Sequence, residues 1–334
     1  MVPDMSNGSS LPYKLRPNKA VDRELFLSLL LRLAATLNIE NYSYVGLGGP
    51  FLEDFRLIHA RLGIRDLVSI ECEENVYHRQ EFNRPVNCIT CINSTLEDYI
   101  DSTDFEKPVI IWFDYTDPGA ITDQIERFSR TISEVQVNSV LRVTLNANPI
   151  SLGKPDPNEV AVEVGSMANH SAQKKTVQEW RLDRFRERLG TLFPSGLKPD
   201  GMTFKNFGRS VLSALYLAVE KEALSLTDRR IIWSLATHYA DGQPMVTATL
   251  IVCGPDDDSL KSIVNGWEYY STPDSPLLLD MPALSTLERL TMESSEDART
   301  CLGFDLPRSD MNEDPLVSFK KFYRVFPPFS RVEL

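Results

Sequence analysis

The chain has 334 residues, of which 42% are hydrophobic and 25% are charged, and its formal net charge is -12. This length exceeds what one small core serves well, so we expect a large domain with an appendage, and the composition excludes disordered and collagen-like proteins. The acidic balance argues against a protein that coats nucleic acid, since such binding depends on neutralising phosphates.

The cysteines and the apolar stretches indicate the cellular compartment in which we expect the protein. Five cysteines, an odd number, are scattered along the chain, so we expect buried thiols in the cytoplasm and not a secreted disulfide framework. Cys88 and Cys91 have CxxC spacing, but residues three apart on an extended run point to opposite faces and no second Cys/His pair exists. The most apolar stretch, residues 25–37, contains Arg32, so neither a signal peptide nor a membrane span is expected.

An N-terminal helix is predicted after a polar leader at residues 1–12. Asn18 is a suitable N-cap, and the acidic residues Asp22 and Glu24 would lie near the positive end of the helix dipole. A leucine-rich continuation supplies an apolar face as far as about Asn38. We assign residues 1–39 to the leader and this helix.

A regular alternation of apolar runs and segments with helical spacing follows. It predicts five parallel strands, because the segments between them are long enough for at least part of a crossover and the run from Val109 to Phe113 is hydrophobic throughout. The predicted strands are 43–47, 67–70, 88–92, 109–113 and 140–145. The predicted intervening helices are 52–62, 75–83, 96–99 and 121–134.

The pattern changes after Pro149, where a polar stretch with helical segments predicts an insertion at about 150–229. Two extended runs then flank an Asp-Gly turn signal and predict an antiparallel hairpin. The main domain would span residues 40–254, and an acidic C-terminal extension would occupy residues 255–334. The segments concerned are helices at 176–192, 210–224, 284–292 and 316–325, and strands at 231–239 and 245–253.

Glycines and an acid occupy the ends of the first two predicted strands. Gly46, Gly48 and Gly49 lie where the first strand turns into a helix, which lets backbone N–H groups approach a ligand closely. Glu71 ends the second strand 25 positions after Gly46, where a carboxylate can accept hydrogen bonds from a ribose diol. The NAD fingerprint requires a small residue at the position of Phe51, which disfavours a dinucleotide.

This order of elements resembles the class I S-adenosylmethionine-dependent methyltransferases, whose Rossmann-like α/β sheet has five parallel strands and a C-terminal antiparallel hairpin. The resemblance covers about residues 40–254, and the segment from Tyr13 to Arg23 is similar to bacterial proteins described as O-methyltransferases. It implies a transferase with S-adenosylmethionine as cofactor. The implied cofactor-binding residues are Gly46, Gly48 and Gly49 beside the methionine part, Glu71 at the ribose, Asn93 and Ser94 beside the adenine, and Asp114 facing the methyl group.

The end of the fourth strand carries the expected catalytic residues, Asp114, Tyr115 and Asp117. Methyl transfer is an in-line displacement from a sulfonium that brings its own leaving group, so a base matters only when the acceptor must lose a proton. Asp114 or Asp117 can accept that proton or hold the acceptor, and Tyr115 can stack or donate a hydrogen bond. We therefore expect O-methylation of a hydroxylated acceptor.

No metal is expected, although metal-dependent O-methyltransferases carry carboxylates at the ends of the fourth and fifth strands. Here the fifth strand ends in Asn146 and Asn148, whose neutral amides are weaker ligands than carboxylates. The four histidines show no ligand spacing, and His170, in the insertion, is the one to consider as a catalytic group.

Two other functions stay open. A DNA or RNA base methyltransferase normally presents an Asn/Asp-Pro-Pro-aromatic clamp, which Asp114 to Pro118 does not match, although the insertion gathers basic residues. Acids alternate with these basic residues, which favours an ion-paired helix face. The basic residues are Lys174, Lys175, Arg181, Arg184, Arg186 and Arg188.

The other open function is a cofactor-binding regulatory partner without turnover. We expect a small-molecule acceptor in preference to nucleic acid, no membrane contact, and a surface for a protein partner on the C-terminal extension.

Overall fold

The computed structural model describes residues 16–156, 175–309, 311 and 313–326. The strands in these ranges are β1 (Ser43–Gly46), β2 (Asp66–Glu71), β3 (Ile89–Asn93), β4 (Val109–Asp114), β5 (Val140–Asn146), β6 (Arg230–Asp241), β7 (Gln243–Cys253) and β8 (Leu277–Leu279). The helices are α1 (Pro17–Leu33), α2 (Glu53–Leu62), α3 (Glu74–Asn83), α4 (Leu96–Ser102), α5 (Ile121–Glu134), α6 (Val177–Leu189), α7 (Phe207–Ala223), α8 (Asp258–Asn265), α9 (Thr286–Ser294), α10 (Ala298–Leu302) and α11 (Pro315–Phe322).

The strands form one sheet in the order β3-β2-β1-β4-β5-β7-β6-β8. Strands β1 to β5 are parallel, and β7 inserts antiparallel between β5 and β6. The predicted fold class, five parallel strands plus an antiparallel hairpin, is therefore confirmed. The carboxyl ends of β1 to β5 lie along the same edge, where open α/β sheets bind their ligands.

Strand β8 was not predicted. It pairs parallel with β6 through Leu277, Leu278 and Leu279. Three apolar residues close to prolines on both sides are shorter than a recognisable strand pattern, so the sequence carries no signal for it. Its presence means that the chain after β7 contributes to the main sheet.

Both faces of the sheet are buried, which explains the continuous hydrophobicity of β4. One face packs against α4, α5, α6 and α7, with Phe113, Phe128 and Phe185 in its core. The other packs against α1, α2, α8, α9 and α11, with Phe26 and Trp112 in contact. Helices that follow β7 thus share a core with the N-terminal helix.

Helix α1 differs from the prediction at both ends. Arg16 is its N-cap residue, and Asn18 instead lies in the first turn, with its side chain hydrogen-bonded to Ala240 and Asp241. Asp22 lies beyond the first turn, where the dipole effect is greatest, and is fully buried against Arg142 of β5. The helix ends at Leu33, and no helix among the described residues is long and apolar enough to cross a membrane.

Candidate active site

Four strands bring their last residues to one edge of the sheet. Gly46 ends β1 and pairs with Ser69 of β2 and Trp112 of β4, two residues before Asp114. Glu71, at the end of β2, pairs with Asn93 at the end of β3. The residues expected around a nucleoside cofactor therefore come together in space. The parallel register of β1 to β4 produces this convergence.

The glycine loop after β1 contains one glycine that packing requires and one that it does not. A Cβ atom on Gly48 would clash with Leu52 Cδ2 and lie 2.6 Å from Ser69 Oγ, so a side chain there requires these buried neighbours to move. Gly49 has a φ of +53°, which favours glycine. At Gly46 the nearest atoms to such a Cβ are 3.5 Å away, an ordinary contact, so the protein itself leaves that position open.

Phe51, at the position where the NAD fingerprint requires a small residue, does not obstruct the loop. The loop closes with a short 3-10 turn, Gly49–Phe51, and the Phe51 ring is 41% exposed beneath the guanidinium of Arg79. Leu52 takes the buried position instead, with a φ of +54°. The case against a dinucleotide therefore depends on the order of strands, not on the size of residue 51.

Glu71 and the start of the β3–α4 connection form a second part of the site. The carbonyl oxygen of Glu71 accepts hydrogen bonds from Asn93 Nδ2 (2.9 Å) and from the backbone N–H of Ser94 (3.1 Å). Its side-chain Oε1 accepts one from the Glu73 N–H at 2.9 Å. Burial raises the pKa of the Glu71 carboxyl above its usual value. Three predicted cofactor contacts are thus held together by hydrogen bonds.

Asp114, at the end of β4, points towards α1 and forms an ion pair with Lys19. The Lys19 Nζ atom lies 3.0 Å from Asp114 Oδ2, and the two side chains are only 11% and 14% exposed. Burial alone would raise the pKa of Asp114, but the charge and hydrogen bond of Lys19 outweigh it and the pKa is lowered. Asp114 is therefore an anion with a cation fixed beside it, which makes it a weak proton acceptor.

Tyr115 and Asp117 occupy different environments. The Tyr115 hydroxyl is directed into the protein, where it donates a hydrogen bond to Glu97 Oε1 at 2.8 Å, and burial raises its pKa. Asp117 is exposed, and its Oδ1 accepts a hydrogen bond from the Gly119 N–H at 2.8 Å. Of the three expected catalytic residues, Asp114 and Asp117 offer carboxylates at this edge and Tyr115 is engaged elsewhere.

Helix α1 is the site element that the sequence reasoning missed. Its Lys19 pairs with Asp114, its Asp22 lies 2.5 Å from Arg142, and its Arg23 pairs with Asp54 in the first turn of α2. The sequence did contain a signal for this role. These charged residues lie three and four positions apart, a spacing that places them on one face of the helix together with its buried residues. Their partners are distant in sequence and could not be named from it.

Helix α6 covers the loops that follow β4 and β5. Arg188 donates hydrogen bonds to the carbonyl oxygens of Pro118 (3.1 Å) and Ser151 (3.2 Å). Three further basic side chains are paired with acids, which confirms the ion-paired interpretation for these three residues. These pairs are Lys175–Asp183, Arg184–Glu187 and Arg186–Asp183.

Histidines and metal ligands add little to the site. His170 and Lys174 lie outside the described residues. His238, on β6, is buried, and burial, followed by the charge of Arg209, lowers its pKa to about 4, so it is neutral at physiological pH. Within the described ranges no three His, Cys, Asp or Glu side chains are grouped so as to hold a metal ion.

Several solved protein structures are similar to this chain. It is similar to a solved structure of Trm1 from Pyrococcus horikoshii with S-adenosyl-L-methionine, with 12% sequence identity over 71% of this chain and 56% of that one and a TM-score of 0.46. It is also similar to a structure of the E81Q mutant of MtNAS with S-adenosylmethionine, with 12% identity over 70% of this chain and 62% of that one and a TM-score of 0.31. A third similar structure is the O-methyltransferase TomG from Streptomyces achromogenes, involved in tomaymycin synthesis, in complex with SAM. Its sequence identity is 12% over 75% of this chain and 93% of that one, and the TM-score is 0.33. The chain spans 56% and 62% of the length of the first two, and the fold assignment depends on the sheet order, not on these likenesses.

No curated protein matches the chain. A family model described as "Putative O-methyltransferase" matches residues 11–334, which is nearly the whole sequence. The match agrees with the strand order of the sheet and with the glycine loop and Glu71 at its carboxyl edge. The chain belongs to this family of methyltransferases.

Proposed function

We propose that the protein transfers the methyl group of S-adenosylmethionine to a hydroxyl group of a small acceptor. The observation that carries the proposal is the convergence of a glycine loop, Glu71 and two aspartates at the carboxyl edge of a sheet with methyltransferase strand order. S-adenosylmethionine is the methyl donor, and its sulfonium supplies a methyl group that is already activated. The chain therefore has to bind the cofactor and the acceptor, align them, and accept one proton from the acceptor.

The cofactor-holding residues are those at the ends of β1, β2 and β3. Glu71 accepts the ribose hydroxyls, Asn93 and Ser94 flank the adenine, and the loop from Gly46 to Gly49 faces the methionine part. The open position at Gly46 supports this assignment, because the protein has no packing reason to exclude a side chain there. A ligand that approaches the backbone closely would supply the reason.

The acceptor side is assigned to the end of β4. We assign proton acceptance to Asp117, which is exposed, and not to Asp114, whose pKa is lowered by Lys19 in spite of its burial. Tyr115 contributes packing beneath the site, since its hydroxyl is engaged with Glu97. The exposed Asp117 carboxylate suits a hydroxyl donor better than the planar edge of a flipped base.

Nucleic acid is the less favoured acceptor. Three of the basic residues that could contact phosphates, Lys175, Arg184 and Arg186, are paired with Asp183 or Glu187, and Arg188 donates to backbone carbonyls. Ion-paired side chains would have to exchange one anion for another, which reduces the gain from phosphate contacts.

The test is transfer of a labelled methyl group from S-adenosylmethionine to a panel of small phenols and alcohols, and in parallel to DNA and RNA. The proposal expects label on a hydroxyl, and Asp117→Asn should slow transfer about a hundredfold or more. Asp123→Asn, an exposed aspartate in the first turn of α5, is the matched control and should leave transfer unchanged.

Label on adenine or cytosine, with none on small molecules, would establish a base methyltransferase instead. Bound cofactor with no transfer to any acceptor would support the regulatory partner without turnover. Equal activity of the Asp117→Asn and Asp123→Asn variants would remove Asp117 from its assigned role.

A further inference from the structure

The Lys19–Asp114 pair is unusual for its place. Both side chains are nearly buried, although they lie at the sheet edge where ligands bind in open α/β folds. Removing two charges from water costs free energy that their mutual attraction offsets only in part, so a pair of this kind is weak support for stability. Function therefore explains the two charges at this position better than stability does.

The pair lies beside the glycine loop. Strand β1 runs next to β4, and Gly46 pairs with Trp112, two residues before Asp114. Arg23 of α1 pairs with Asp54 in the first turn of α2, the helix that follows the loop. Since Lys19 is one helical turn before Arg23, the two ion pairs join one face of α1 to the end of β4 and to the helix that follows the loop.

We propose that Lys19 and Asp114 together form a subsite for the zwitterionic amino acid group of the cofactor, with Lys19 binding the carboxylate and Asp114 the ammonium. The inference deepens the proposed function and rests on it. An ammonium and a carboxylate side by side match an α-amino acid, whose two charges are also neighbours. Each contact is a charge-assisted hydrogen bond, the stronger kind in proteins.

Helix α1 is fixed in the way that such a subsite requires. Asp241, at the tip of the β6–β7 hairpin, accepts hydrogen bonds from the backbone N–H groups of Asn18 (3.3 Å) and Lys19 (2.8 Å). One turn later, Asp22 holds the helix against Arg142. The backbone of Lys19 is therefore immobilised before any ligand binds, which lowers the entropy cost of binding.

The experiment is isothermal titration calorimetry with two ligands, S-adenosylhomocysteine and 5′-methylthioadenosine, which share the nucleoside and differ in the amino acid group. Lys19→Met should weaken S-adenosylhomocysteine binding about tenfold or more. Binding of 5′-methylthioadenosine should stay within about twofold, because that ligand has no carboxylate. Lys107→Met is the matched control, since Lys107 forms a Lys–Asp pair with Asp66 at the opposite edge of the same sheet.

Lys19→Arg keeps the positive charge and should recover most of the lost S-adenosylhomocysteine affinity. If Lys19→Met fails to fold, the arginine variant and Lys19→Gln are compared in its place, with 5′-methylthioadenosine binding as the measure of an intact nucleoside site. Equal losses for both ligands, or unchanged affinity for both, would overturn the subsite. Failure of the unmodified protein to bind either ligand would instead overturn the proposed function.

Discussion

Replacing Asp22 by alanine should destabilise the protein strongly. Asp22 and Arg142 are both fully buried, with Asp22 Oδ2 2.5 Å from an Arg142 terminal nitrogen. Without the aspartate, the guanidinium keeps hydrogen bonds to Thr247 and Thr249 but loses the only carboxylate with which it forms a salt bridge in the described chain. Because both side chains are fully buried, solvent does not reach the place of that carboxylate in the folded protein.

The magnitude follows from the burial. Breaking a buried ion pair by removing one partner costs about 3–5 kcal/mol, because it leaves an uncompensated charge. The rings of Phe26 and Trp112, 4.7 and 4.8 Å from the Arg142 guanidinium, hold the cation between them and favour the lower end of this range. Against a total unfolding free energy of about 5–15 kcal/mol, such a loss is a large fraction.

The assay is urea denaturation of the unmodified and variant proteins, with the free energy of unfolding extrapolated to water. Glu187→Ala, which breaks the exposed pair with Arg184, is the control and should cost at most about 1 kcal/mol. Adding Arg142→Met to Asp22→Ala should recover much of the stability, because it removes the orphaned charge. A loss below about 1 kcal/mol for Asp22→Ala would refute the reasoning, because it would mean that Arg142 is solvated or finds another partner.

Three further predictions concern the cofactor site. Glu71→Ala should weaken S-adenosylmethionine binding about tenfold or more without unfolding, as measured by calorimetry and thermal melting, and unchanged affinity would move the ribose site elsewhere. Because burial raises the pKa of Glu71, affinity should begin to fall on acidification at a pH above the usual glutamate pKa of about 4.3, and Glu71→Gln should abolish this dependence. Gly48→Ala should cost about 1–3 kcal/mol of stability through overpacking, whereas Gly46→Ala should fold normally and lose cofactor affinity; equal stability losses in denaturation would contradict this contrast.

The fold was predictable because its signals are local. Most of the parallel strands are runs of buried residues, as Val109–Asp114 is except at its last residue, and the crossovers have helical spacing, so pattern and topology agree along the chain. The hairpin follows from the turn at Gly242, whose φ is +90°. Strand β8 could not be predicted because three residues show no periodicity, and its pairing with β6 depends on tertiary contacts.

The site likewise contains residues that local sequence patterns predict and residues that they do not. Gly46, Gly48 and Glu71 follow from spacing along one strand-turn-helix unit, which short-range rules describe. Lys19 and Asp22 find partners 95 and 120 residues away, and no local pattern specifies such pairs. Their i, i+3 spacing on a buried helical face was the one available clue.

The central claim is that this sheet edge binds S-adenosylmethionine, and calorimetric titration of the unmodified protein with S-adenosylmethionine and, separately, with NAD tests it most directly. The structure has the glycine loop and strand order of a methyltransferase, with Glu71 at the ribose position. Saturable binding of S-adenosylmethionine at one site per chain, with no heat from NAD, is the predicted result. Binding of NAD, or of neither ligand, would contradict the claim.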